Sequence, residues 1–177
     1  MAMFIATEAA LFVTLFFSYF YLGRDKESWP TDAPPKITLS LVMLAVLATS
    51  SLVLSWGEKQ LERRREQAAR FATGVTLCLG IGFLVLQFFE YRDHLRRLAP
   101  WSDAYGSIFY TITSFHALHL TLGLLMLAYA LVLPKVGPTD RPPHRALHNA
   151  AIYWHFVDWV WFVIVSLLYV LPYWTQG

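Results

Sequence analysis

Five long apolar runs constrain this chain more than any other feature. They cover Met3 to Leu22, Ile37 to Trp56, Phe71 to Tyr91, Tyr105 to Leu133 and Ala150 to Leu171. About 20 apolar residues in a helix cross the roughly 30 Å hydrocarbon core of a bilayer. A helix also satisfies every backbone donor and acceptor within the segment, which lipid cannot do. The sequence therefore predicts an all-α, polytopic membrane protein: a bundle of five transmembrane helices forming a single domain over residues 1–177. Composition agrees, with 56% hydrophobic and only 15% charged residues, where a soluble domain carries roughly a quarter charged.

The charges fall between the runs. The formal net charge is +2, and no basic stripe is interleaved with aromatics, so nucleic acid is not an expected partner. Eight Lys and Arg residues lie in the second and fourth loops against six in the first and third. That bias predicts a cytoplasmic amino terminus and an external carboxyl terminus. It puts Glu8 near the cytoplasmic side and Glu90 toward the external side. Glu58 to Arg70 reads as a charged helical connector with opposite charges at short spacings. The loop from Arg24 to Lys36, with Pro30, Pro34 and Pro35, and the loop from Pro134 to His148 read as irregular connections. The first apolar run opens without a basic flank, so no cleavable signal is expected.

Three further expectations concern packing. Ala45, Ala48, Thr49, Ser50 and Ser51 are small enough to let the second helix approach a neighbour closely. Cys78 stands alone, with neither a disulfide partner nor metal-binding spacing, and reads as a small packing residue. Tyr19, Tyr21, Trp56, Tyr91, Tyr169, Tyr173 and Trp174 close the spans as an interfacial aromatic belt.

Inside the spans only six ionisable residues need explaining: Glu8, Glu90, His116, His119, His155 and Asp158. His116 and His119 are three apart, as are His155 and Asp158, so each pair projects from roughly one helix face as one polar spot. Such groups are costly in a bilayer and point at protein or water rather than lipid. Three readings stay open. The groups fasten helices through buried hydrogen bonds, ligate a metal from HxxH, HxxD and Glu90, or mark a proton path, chiefly at Glu8. Glu8 also suits a helix start, where negative charge meets the amino-terminal dipole. No span carries the Glu-x-x-His pair of a carboxylate-bridged di-iron centre.

Particular residues go further. Phe4-Ile5-Ala6-Thr7-Glu8 with Phe12, Phe16 and Phe17 opens the chain, and Gln87 with Glu90-Tyr91 closes the third run. Tyr105-Gly106-Ser107 with Phe115-His116 and His119 follows, then Tyr153-Trp154-His155-Phe156-Val157-Asp158 with Val160-Trp161. In order and interval this set resembles subunit III of the haem-copper respiratory oxidases, closest to the cytochrome c oxidase type. The Thr7-Glu8 pair favours that branch over the ubiquinol oxidases.

The resemblance implies a short, five-helix form beginning at what resembles the third helix of longer members. It implies a non-catalytic chain with no metal of its own, contacting subunit I chiefly and subunit II. Haem and copper would reside in the catalytic partner. Bound phospholipid is implied, as is a bacterial cytoplasmic membrane location. Glu8 matches the glutamate linked to oxygen access and sustained proton uptake. Glu90, His116, His119, His155 and Asp158 would be interhelical or lipid-linked. Two alternatives remain: an accessory subunit of a nitric oxide reductase system, and a metal-dependent membrane enzyme using His116, His119, His155, Asp158 and Glu90.

Overall fold

The computed structural model describes residues 1–24, 29, 37–95, 103–132 and 142–171. Within them lie five α-helices: α1 (Ala2–Gly23), α2 (Ile37–Glu62), α3 (Glu66–Leu95), α4 (Ala104–Val132) and α5 (Pro142–Ile164), the last continued by a π-helix over Val165–Val170. All five are long and apolar enough to cross a membrane, and no strand occurs among the described residues. The chain is an all-α polytopic membrane protein. Most of the first, third and fourth loops, including Pro30, Pro34, Pro35 and Lys135, lies outside the described residues, as do Tyr173 and Trp174.

The charged connector is two helix ends and a tight turn. Arg65 N–H donates to the Gln60 carbonyl at 2.9 Å and Arg64 N–H to the Leu61 carbonyl at 2.9 Å. This paired pattern ends a helix when the residue after its cap turns left-handed. Arg64 does so with φ 59°, a conformation that favours glycine because a Cβ crowds the following carbonyl. At the other side of the bundle Asp103 caps α4, its Oδ1 accepting the Gly106 N–H at 2.7 Å.

α2 packs on α3 and α5, α3 on α4, and α4 on α5, while α1 leans on α4 and, more lightly, α5. α5 is the most enclosed helix and α1 the least. The buried face of α3 follows Ala69, Ala72, Thr73, Thr76, Phe83, Gln87 and Glu90, the three-and-four spacing of one helix face. Cys78 falls off that stripe and is exposed, which corrects its expected packing role.

On α2 the small-residue expectation also narrows. Ala45, Ala48 and Thr49 face outward, and only Ser50 and Ser51 are buried. The close approach to α3 comes lower, where a Cβ on Gly57 would meet Ala72 Cβ at 2.7 Å. The aromatic belt is partial as well. Tyr21 and Trp56 are exposed, whereas Tyr19 and Tyr169 are core residues.

Trp154 of α5 is the central packing element. A Cβ on Gly80 of α3 would meet its ring at 2.6 Å, and one on Gly123 of α4 would meet it at 3.1 Å. Its Nε1 donates to Ser50 Oγ of α2 at 2.9 Å. One indole thus touches three other helices and is only 1% exposed.

Two substitutions test these contacts. Gly80→Val overpacks against an indole pinned by its hydrogen bond and should cost about 1–3 kcal/mol, read as a lower unfolding temperature in detergent. The control Gly74→Ala, where an added Cβ meets nothing within 4 Å, should be neutral or stabilising. Arg64→Gly should stabilise the α2–α3 turn by about 1 kcal/mol, the cost of a left-handed non-glycine residue.

Candidate functional site

The six intramembrane ionisable groups are distributed over four places in the bundle. Glu8 of α1 and His119 of α4 meet at 2.6 Å between Oε2 and Nε2. The other ring nitrogen of His119 lies 2.6 Å from the Phe115 carbonyl. A carbonyl only accepts, so Nδ1 carries a proton and donates. Nε2 is left facing the carboxyl group of Glu8. Phe12 covers the imidazole edge-on at 4.9 Å. The Glu8 side chain keeps 22% of its surface against 5% for His119, so the pair opens toward the outer face of α1.

Glu90 of α3 lies near the end of its helix, whereas His119 stands at the middle of α4. Its Oε1 accepts from Ser40 Oγ of α2 at 3.1 Å and from Tyr169 OH of the π-helix at 3.0 Å. Three helices join at one carboxyl oxygen. One residue on, Tyr91 OH donates to Thr113 Oγ1 of α4 at 2.7 Å.

His155 and Asp158 turn toward serines of α2. His155 Nε2 lies 3.2 Å from Ser55 Oγ. Asp158 is half-buried beside Ser51, although the two make no hydrogen bond of good geometry.

His116 does not share the surroundings of His119. The 60° that separates positions three apart on a helix turns it inward, fully buried against Trp161 at 4.9 Å and Phe83 at 5.7 Å between ring centroids. Neither ring nitrogen has a partner among the described residues. The expected single polar spot on α4 is therefore two separate environments.

The structure does not bring His116, His119, His155, Asp158 and Glu90 together. No three His, Cys, Asp or Glu side chains gather as a metal-ligand group among the described residues. Ser40, Ser55, Thr113, Phe83 and the Tyr169 hydroxyl take part without having been singled out from the sequence. Serines in apolar helices commonly bond their own backbone, as Ser50 does to Leu47 at 2.7 Å, so serine composition carries no signal of a cross-helix role.

Fold and site together define a polytopic membrane subunit whose polar groups face neighbouring helices and whose outer surface is apolar, with Phe17, Leu52, Phe71, Phe88, Trp159 and Val132 all exposed. Residues 1–176 match the family model for cytochrome c oxidase subunit III, and this chain belongs to that family of terminal oxidase subunits. It is 34% identical over 172 residues to cytochrome c oxidase subunit 3 of Synechocystis sp., covering 96% of this chain and 73% of that protein. It is 34% identical over 185 residues to the same subunit of Paracentrotus lividus, covering 98% and 67%. Against that of Thermostichus vulcanus the identity is 29% over 175 residues, covering 95% and 84%. Members of this family are parts of multi-subunit oxidases.

Tyr169→Phe removes one of the two donors to a buried carboxyl oxygen while keeping the ring. It should lower stability by about 1 kcal/mol, within the range for hydrogen bonds between membrane helices, measured as the shift in unfolding temperature of the complex in detergent.

Proposed function

We propose that this chain is a non-catalytic subunit III of a proton-pumping cytochrome c oxidase, acting as one membrane domain. In this reading it packs mainly against subunit I, with subunit II in the same complex, and those partners carry the haem and copper that reduce oxygen to water. It stabilises the catalytic subunit, binds phospholipid along its outer faces, and supports oxygen access and sustained proton uptake. It resides in a bacterial cytoplasmic membrane with the amino terminus cytoplasmic.

The observation that carries the reading is the Glu8–His119 pair. Its 2.6 Å contact and the partial exposure of Glu8 suit a group that exchanges a proton or holds local geometry beside a partner. They do not suit a redox ligand, since one imidazole nitrogen is committed to a backbone carbonyl and the other to the carboxyl group. The apolar outer faces support burial against another membrane subunit and lipid.

Glu8→Ala in the purified oxidase should leave assembly and the initial rate of oxygen consumption intact and shorten the catalytic lifetime several-fold. The measurement is oxygen consumption followed to inactivation at several pH values. An unchanged lifetime throughout would remove the proton-linked role and leave Glu8 as a helix-start residue.

A further inference from the structure

α3, α4 and α5 share a seam closed by two layers of side chains. The first layer is a trio of rings: Phe83 of α3 lies 4.9 Å from Trp161 of α5 and 5.7 Å from His116 of α4, and His116 lies 4.9 Å from Trp161. The second is the carboxyl junction, where Tyr169 of the π-helix and Ser40 of α2 donate to Glu90 Oε1. At 1.5 Å of rise per residue, Phe83 and Glu90 stand about 10 Å apart along α3.

Gln87 lies between the two layers, one helical turn beyond Phe83 and one turn before Tyr91, whose hydroxyl reaches Thr113 on α4 at 2.7 Å. Gln87 sits beside that hydroxyl, yet neither amide atom makes a hydrogen bond of good geometry.

Six side-chain atoms in this seam are buried without a partner among the described residues: Gln87 Oε1 and Nε2, Glu90 Oε2, His116 Nδ1 and Nε2, and Trp161 Nε1. Their residues are 3%, 3%, 0% and 0% exposed, respectively. A bilayer supplies no hydrogen bonds, and the chain's own fold already seals these atoms from any neighbouring subunit. The set mixes donors and acceptors. The amide offers both, indole N–H only donates, and neutral imidazole offers one of each. An anion would meet the Glu90 carboxyl, and a cation would meet the indole and amide donors. A small molecule that both donates and accepts matches every atom of the set.

We propose that the seam between the ring layer and the carboxyl junction is an internal water site. About two or three water molecules, at roughly three hydrogen bonds each, link Glu90 Oε2 through the Gln87 amide to His116 and Trp161. The site joins α3, α4 and α5 by bridged contacts and gives the enclosed Glu90 carboxyl a hydrated neighbour on the side away from Ser40 and Tyr169.

The test uses the intact oxidase containing this chain. A density map at water-resolving resolution should show ordered solvent within about 3 Å of the His116 ring nitrogens and the Gln87 amide, the usual hydrogen-bond distance. Unfolding temperatures of Gln87→Leu, His116→Phe and the double variant give a second readout. Groups sharing one bridge couple, so each single variant should lower the unfolding temperature, and the double variant should lose less than the sum. A map with the seam filled only by carbon, or with His116 and Gln87 bonded directly to protein, overturns the proposal. So do single variants that raise the unfolding temperature, since apolar replacement of a dry, unpaired polar group relieves it. The map of the unsubstituted complex decides the matter should either variant fail to assemble.

Discussion

The bundle depends on the seating of one indole. Trp154 fills the space that Gly80 and Gly123 leave on α3 and α4, and its N–H reaches Ser50 on α2. In lipid there is little hydrophobic driving force between helices, so close packing and interhelical hydrogen bonds hold them. A large flat ring set against two glycines supplies the first, and its single donor supplies the second. Because the ring touches three helices at once, it fixes the positions of α2, α3 and α4 around α5. Everything above and below it inherits that register: Tyr153, Val157, Trp161 and Tyr169 follow along the same buried side of α5.

Around this centre the polar groups sit at the joints between helices. Glu90 ties the ends of α2, α3 and the π-helix. His155 leans on Ser55 of α2. Glu8 tethers α1 to α4 through His119, and α1 is the least enclosed helix. That 2.6 Å contact joins the least enclosed helix to the bundle.

Much of the fold was legible because the membrane leaves few choices. Runs such as Ile37 to Trp56 have to be helical wherever lipid surrounds them, and the motifs YWHFVD and FHALH carried the family. The site was legible only as a set of residues. Spacing placed His116 and His119 on one side of α4, but a 60° difference sends one to the rings of α3 and α5 and the other to the carboxyl of α1. Likewise Tyr169 reads as an interfacial tyrosine at the end of a span, yet it is buried and donates to Glu90. Cys78 reads as packing because it lies in an apolar run, but lipid is as apolar as a core, so hydropathy does not separate an inner face from an outer one.

The amino-acid sequence by itself determined the class, the five helices and the family, because apolar length and a few dense motifs depend on local order along the chain. It also determined that six titratable groups had to face something other than lipid. Tertiary structure alone decided what each one faces: Glu8 with His119, Glu90 with Ser40 and Tyr169, His155 with Ser55, and His116 enclosed by rings. The partners lie as many as 111 positions apart. Their pairing follows from how Trp154 seats against Gly80 and Gly123, a matter of shape between helices that no local pattern encodes.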